Sequence, residues 1–272
     1  MATAIATYSK IKYSVVDGVA EIVLADPPAN TYSYQMMREL DSAILDARMD
    51  RNVHVIVLRG EGDRFFCAGA NIKMLTEADP DFKYYFCLHA NETLNRLEQT
   101  PKLVVAALNG HTVGGGFEVA MAADLRIARK DGGKIGLPEV KLGVLPGTGG
   151  TQRLARLVGK ARAIELMVAG RLMSFDEAKA HGLVTELWDE ARLGGQPFEV
   201  AVREYAKQFV PPHTASRAVG RIKRAVQSGA EAGLAAGLAL ERELQQLLFQ
   251  SEDAKEGLAA NVEKRAPRFK GI

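Results

Sequence analysis

Two glutamates stand in surroundings that a solvent-facing carboxylate would avoid. Glu118 lies in "NGHTVGGGFEVAMAADLRIA", Asn109 to Ala128, just after three consecutive glycines, Gly114, Gly115 and Gly116. Glu139 lies in "KIGLPEVKLGVLPGTGG", where Pro138 fixes the backbone angle immediately before it. Two acids in semi-apolar settings are what acid–base work on water requires, one to remove a proton and one to supply it. The glycines add a second capability. Without a Cβ the backbone approaches a ligand closely, and amide N–H groups at a helix start have no partner within the helix. Such donors suit an anion or a developing oxyanion. On a helix, Glu118 falls on the same side as Gly115, one turn further in. Each feature alone also has a bland explanation: a glycine triplet marks tight helix–sheet packing, and Glu139 suits a salt bridge with Lys141.

The elements that must position these residues are legible from periodicity. "IKYSVV" and "VAEIVLA" flank Asp17-Gly18, a hairpin signal. Ser33 is placed to cap a helix through "YQMMRELDSAILDARMD", whose apolar residues recur at spacings of three and four. "VHVIVLRG" predicts a buried strand, "EGDRFFCAGAN" a loop, and "DFKYYFCLHANETLNRLEQT" a second long helix closed by Pro101. "KLVVAALNG", "GGFEVAMAAD" and "LRIAR" follow as strand, helix and strand. This alternation implies parallel βαβ units and an α/β core. Beyond "LPEVKLGVLPGTGGTQRL" the strand signal fades, and from about Phe198 nearly everything reads as helix.

The bulk numbers narrow the classes. The 272 residues are 47% hydrophobic and 25% charged, an ordinary balance for a globular protein with a sizeable core. A net charge of +2 gives no reason to invoke nucleic acid or a membrane surface. From Ala201 onward 12 Lys and Arg face 8 Asp and Glu, a surplus of four that a solvated helical face explains as well as an anionic ligand. Cys67 and Cys87 form no metal-ligand or CxxC spacing, and the five histidines are scattered, so no metal is expected. "MATAIATYSK" lacks a secretory signal's basic start and apolar centre. No apolar run approaches the roughly 20 residues that cross a bilayer. A cytoplasmic protein is expected.

Taken together, the segments resemble the crotonase (enoyl-CoA hydratase/isomerase) superfamily. The likeness rests on "FCAGANIK", "LNGHTVGGGFEVAMAADLRIA" and "GLPEVKLGVLPGTGGTQRL", in that order, and extends back to "VAEIVLADPPAN" and forward to "AGRLMSFDEAKAHGLVTEL" and "KRAPRFKG". It implies an α/β fold: a crotonase-like core of repeated ββα units in a spiral over residues 1–197, with a helical C-terminal region, 198–272, for oligomerisation. It also implies an oxyanion hole from the backbone N–H groups of Ala70 and Gly115, gripping the thioester oxygen of an acyl-CoA. Glu118 and Glu139 would hold and activate one water. Ala68, Ala70, Asn71, Ile72 and Lys73 would line the channel for the coenzyme A portion, with Gly115 at its inner end. Coenzyme A is then part of the substrate, and no separate cofactor is expected. Asn71 stands where many hydratases carry Asp, and Phe117 is bulkier than some relatives' residue.

The expected reaction is reversible hydration of a trans-2-enoyl-CoA to a 3-hydroxyacyl-CoA. An enoyl-CoA isomerase or another crotonase-type acyl-CoA lyase or hydrolase is the alternative, and a non-catalytic scaffold on the same fold is the reading of a different class. "LPGTGGTQR" lacks the Gly-Lys-Ser/Thr ending of a phosphate loop, so Gly147, Gly149 and Gly150 are read as shaping a turn into a helix. No GxSxG occurs, which disfavours a serine hydrolase. Cys67 is expected as a small buried hydrophobe, and His111 as a loop hydrogen-bonder. Apolar stripes in "GLAAGLALERELQQLLF" predict self-association as a homotrimer or dimer of trimers. With no Lys or Arg aimed at the acyl end, an uncharged acyl chain is expected, walled by Tyr32, Phe117 and part of the aromatic group Phe82, Tyr84, Tyr85 and Phe86, at least half of which point elsewhere on a helix and are expected in the core.

Overall fold

Asp17 and Gly18 both take positive φ, 50° and 78°, as the tight turn of a right-twisted hairpin demands. They join β1 (Ile11–Val16) to β2 (Val19–Leu24), with Val16 opposite Val19. The structure, a computed structural model, describes residues 8–272. The first seven residues of the stretch read as lacking a secretory signal lie outside those described.

One pattern then repeats three times. The strands β3 (Val55–Gly60), β5 (Leu103–Leu108) and β7 (Leu125–Arg129) each enter a large sheet. The strand that follows each of them, β4 (Phe65–Cys67), β6 (His111–Val113) or β8 (Lys134–Gly136), enters a smaller one. Two late strands finish the sheets: β9 (Met173–Ser174) pairs antiparallel with β8, and β10 (Glu186–Trp188) pairs parallel with β7. The large sheet has the order β1-β2-β3-β5-β7-β10 and the small one β4-β6-β8-β9. The expected ββα repeats are therefore present. The strands of the small sheet, and β10, were not predicted. At two or three residues each they are too short to show an alternating pattern.

Helices fill the connections: α1 (Tyr34–Met49), α2 (Ile72–Glu77), α3 (Pro80–Glu98), α4 (Gly115–Met121), α5 (Gly150–Val158), α6 (Lys160–Ala169), α7 (Phe175–Ala180) and α8 (Glu190–Leu193). Ser33 caps α1 as predicted, its hydroxyl accepting from the Met36 N–H. Asp79 and Pro80 start α3, which ends at Glu98, short of Pro101. A 3₁₀ turn, Glu139–Leu142, follows β8.

The main core lies between the two sheets and α1, α3 and α4, and includes Ile22, Met37, Leu58, Phe66, Phe117 and Ile135. The other face of the large sheet carries Val55, Val57, Val105 and Ile127. Helix α9 (Phe198–Lys207) covers it with Phe198, Val202 and Ala206. Burial on both faces explains why "VIVLRG" reads as a continuous apolar run. The chain ends in α10 (Ser216–Ala230), α11 (Leu234–Phe249) and α12 (Glu252–Glu263). A buried ion pair, Lys223 Nζ to Asp124 Oδ2 at 2.8 Å, ties α10 to the start of β7. Large apolar side chains on these helices face outward, among them Ile222, Val226, Leu234 and Val262. No helix among the described residues is long and apolar enough to cross a membrane.

Candidate active site

The glycine triplet sits where β6 gives way to α4, and each glycine has its own reason. Gly114 holds φ 59° and ψ −134°, a conformation that side chains resist. A Cβ on Gly115 would stand 2.0 Å from the Tyr32 hydroxyl, and one on Gly116 2.0 Å from the Cys67 carbonyl oxygen. The triplet thus turns the chain and lets α4 press against β4 and the residues before α1.

That pressing brings separate loops together. Gly69 lies beside the helix start, where an added Cβ would come within 3.1 Å of the Gly115 nitrogen. The adjoining Ala70 forms a parallel bridge with Tyr32. The Tyr32 N–H donates to the Gly69 carbonyl and the Asn71 N–H to the Tyr32 carbonyl, both at 2.9 Å. Among the described residues, neither the Ala70 nor the Gly115 N–H has an intramolecular acceptor. The two predicted amides therefore neighbour one another with their donors uncommitted.

Glu118, one turn into α4, is buried. Its Oε1 accepts from the Thr148 N–H at 2.8 Å and the Gly150 N–H at 2.6 Å. Burial pushes its carboxyl pKa up, while these amides, the Thr148 hydroxyl and the Arg153 charge pull it back. The Gly147–Gly150 loop does more than turn the chain, since it supplies both amides. This anchoring was missed from sequence. Its signal was the loop's place in the "GLPEVKLGVLPGTGGTQRL" block.

Glu139 approaches from the other side. A Cβ on Gly114 would lie 2.9 Å from Glu139 Oε1, so this carboxylate hangs over the helix entrance. Its Oε2 is buried without a hydrogen-bond partner, and among the described residues the salt bridge with Lys141 does not form. Burial raises its pKa to about 7, with repulsion from Glu118 adding to the rise. The structure thus gathers Glu118, Glu139, Ala70 and Gly115 in one place.

Of the predicted coenzyme-side residues, Ala68 is half-buried, while Ile72 and Lys73 are exposed. Asn71 caps α2, its Oδ1 accepting from the Met74 N–H at 3.0 Å. The aromatic wall needs correction. Tyr84 and Tyr85 are exposed and Phe117 belongs to the main core, because successive positions on a helix point in different directions. Phe82 stacks on Phe86, and Phe86 meets Tyr32 with ring centroids 5.9 Å apart. Cys67 is fully buried, its thiol pushed up to about 12 by burial, which makes it inert. His111 Nδ1 accepts from the Lys134 N–H at 3.0 Å, the loop bond expected. Among the described residues no cluster of His, Cys, Asp or Glu could hold a metal ion.

The family profile described as enoyl-CoA hydratase/isomerase matches residues 15–272. The chain belongs to that family. The crystal structure of an enoyl-CoA hydratase from Geobacillus kaustophilus HTA426 superposes with a TM-score of 0.93 at 45% identity, covering 98% of each chain. The short-chain-enoyl-CoA hydratase of Clostridium acetobutylicum is 35% identical over 248 residues, 91% of this chain and 92% of that one. The mitochondrial methylglutaconyl-CoA hydratase of Rattus norvegicus is 34% identical over 242 residues, 89% of this chain and 76% of that one. This member of the enoyl-CoA hydratase/isomerase family therefore shares with proteins named as hydratases the whole length over which its site is assembled.

Proposed function

We propose that the protein reversibly hydrates a trans-2-enoyl-CoA to a 3-hydroxyacyl-CoA. The observation that carries this reading is the meeting of two differently held carboxylates beside two uncommitted amides. The Ala70 and Gly115 N–H groups hold the thioester oxygen, where negative charge grows as the enolate forms. Glu118, with Oε1 fixed by two amides, directs its other oxygen at water and removes its proton. Glu139, whose raised pKa keeps it protonated up to about neutrality, delivers the proton to the α-carbon. Close carboxylates titrate as a pair, so the observed pKa values belong to both.

The coenzyme A portion runs out along Ala68, Asn71, Ile72 and Lys73, and the chemistry needs no separate cofactor. The acyl chain is uncharged. Arg153, whose charge acts on Glu118, is spent on Glu98 at 2.8 Å and Asn95 at 2.7 Å, so it does not meet a substrate carboxylate. The apolar faces of α10–α12 are covered by further copies of the chain in a trimer or a dimer of trimers. Sedimentation equilibrium showing only a 29.5 kDa species at micromolar concentration would exclude that assembly.

The decisive experiment follows loss of the enoyl thioester's ultraviolet absorbance when crotonyl-CoA is added. Hydration by the wild-type protein that collapses in Glu139→Gln supports the two-glutamate mechanism. Full activity in Glu139→Gln excludes it. A panel that includes 3-enoyl, branched and carboxylated thioesters separates hydratase from isomerase and tests the uncharged acyl chain.

A further inference from the structure

Tyr32 occupies a position that hydrophobic packing alone would fill with an apolar side chain. It is buried among core residues and its ring rests on Phe86. A phenol hydroxyl at such a place costs free energy unless it finds a partner. The partner it finds is the Thr148 hydroxyl, 3.0 Å away and also buried. We propose that Tyr32 is a positioning residue for the hydration reaction, holding the Ala70 amide with its backbone and aligning Thr148 against Glu118 with its hydroxyl.

The backbone half follows from the bridge. The Tyr32 N–H and C=O take the bonds on either side of Ala70, to Gly69 and from Asn71. In a parallel bridge of this kind the intervening N–H points away from the partner strand, which here leaves the Ala70 donor free. The side-chain half runs through Thr148. Its hydroxyl bonds the Tyr32 hydroxyl at 3.0 Å, and its backbone N–H donates to Glu118 Oε1 at 2.8 Å. Fixing the Thr148 side chain thereby steadies the amide that anchors the acid. Burial and the nearby Glu118 charge hold the phenol well above its ordinary pKa, so its hydroxyl stays protonated. The hydroxyl also lies against Gly115, where an added Cβ would be 2.0 Å away. A single residue thus touches both amide-bearing segments and the network of the water-activating acid.

The inference rests on the hydratase reading, and the test separates the two. Tyr32→Phe keeps the ring and the backbone bridge and removes one hydroxyl. With crotonyl-CoA we expect kcat to fall about five- to tenfold with KM nearly unchanged, and the acidic limb of the kcat–pH profile to move to higher pH. Thr148→Val should show the same loss, and adding Tyr32→Phe to it should cost nothing more. Thr148→Ser, which keeps a hydroxyl, should restore sensitivity to Tyr32→Phe. A wild-type kcat and pH profile in Tyr32→Phe would overturn the proposal while leaving the hydratase reading intact. Effects of Tyr32→Phe and Thr148→Val that multiply independently would do the same. Absence of hydration by the wild-type protein would overturn both.

Discussion

Glu118 and Glu139 are the same chemical group in opposite kinds of surroundings. Glu118 stands inside α4, buried, with one oxygen fixed by two amides from a loop 30 residues further on. Glu139 heads a short 3₁₀ turn whose neighbours Val140, Leu142, Val144 and Leu145 face outward, and its Oε2 has no partner. Burial raises both pKa values, but only at Glu118 do several donors oppose the rise. An anchored acid suits holding a water in one orientation. An unanchored one with a pKa near neutrality suits passing a proton back and forth. The contrast supports the proposed division of tasks without reference to chain position.

The largest effect should come from removing either acid. Glu118→Gln and Glu139→Gln should each lower kcat about 10²–10⁴-fold in the crotonyl-CoA assay. A variant that keeps its rate shows that its carboxylate is not part of the proton chemistry. Next comes Gly115→Ala. Its Cβ collides with Tyr32, and overpacking of this kind costs about 1–3 kcal/mol, seen as a lowered Tm. Adding Tyr32→Leu, which removes the colliding atoms, should recover most of that loss. No recovery would place the strain elsewhere.

The pH dependence sharpens the contrast further. If Glu139 donates the proton, kcat/KM for hydration should fall as pH rises through about 7, the value to which its pKa is raised. Dehydration starts from the same singly protonated pair of carboxyls, so its kcat/KM should fall through the same interval, as a pH-independent equilibrium constant requires. A flat profile through that interval would reassign the proton. The smallest effect concerns stability. Glu139 has a pKa raised from 4.5 to about 7 in the folded protein, so folding favours its protonated form. That stabilisation is full below pH 4.5 and is lost as pH rises through 7. Glu139→Gln cannot ionise and escapes the loss. Its Tm should exceed the wild-type value at pH 8, by the equivalent of about 1 kcal/mol after allowance for solvent access, and match it near pH 5.

Much of this was legible beforehand, for reasons tied to length and period. The hairpin at Asp17-Gly18, the Ser33 cap and the buried strand "VIVLRG" each announce themselves within about ten residues. Glu118, Glu139 and Gly115 stood out by their settings, and three ordered blocks matching a family pattern added Ala70 and tied the four together. Spacing alone would not have placed residues so far apart in the chain together. What stayed hidden depends on contacts between distant segments. The small sheet is made of strands too short to carry a period. The amides of Thr148 and Gly150 leave no mark in residue type, since every residue but proline has one. Tyr32 could be read as apolar wall, whereas its hydroxyl meets a residue 116 positions away.

The wide spread of those contacts along the chain has a consequence for how the protein comes to work. The site draws on residues 32, 70, 115, 118, 139, 148 and 150, and the strands that bring them together pair mostly in parallel across long connections. Contacts of such large sequence separation form late and slowly, because loop-closure entropy must be overcome before they contribute. A partly folded chain can hold native-like helices at α1 and α3 and still bring no two of these groups into register. In refolding experiments, far-ultraviolet circular dichroism should recover before hydration does, so turnover reports the closing of the last loops rather than the appearance of secondary structure.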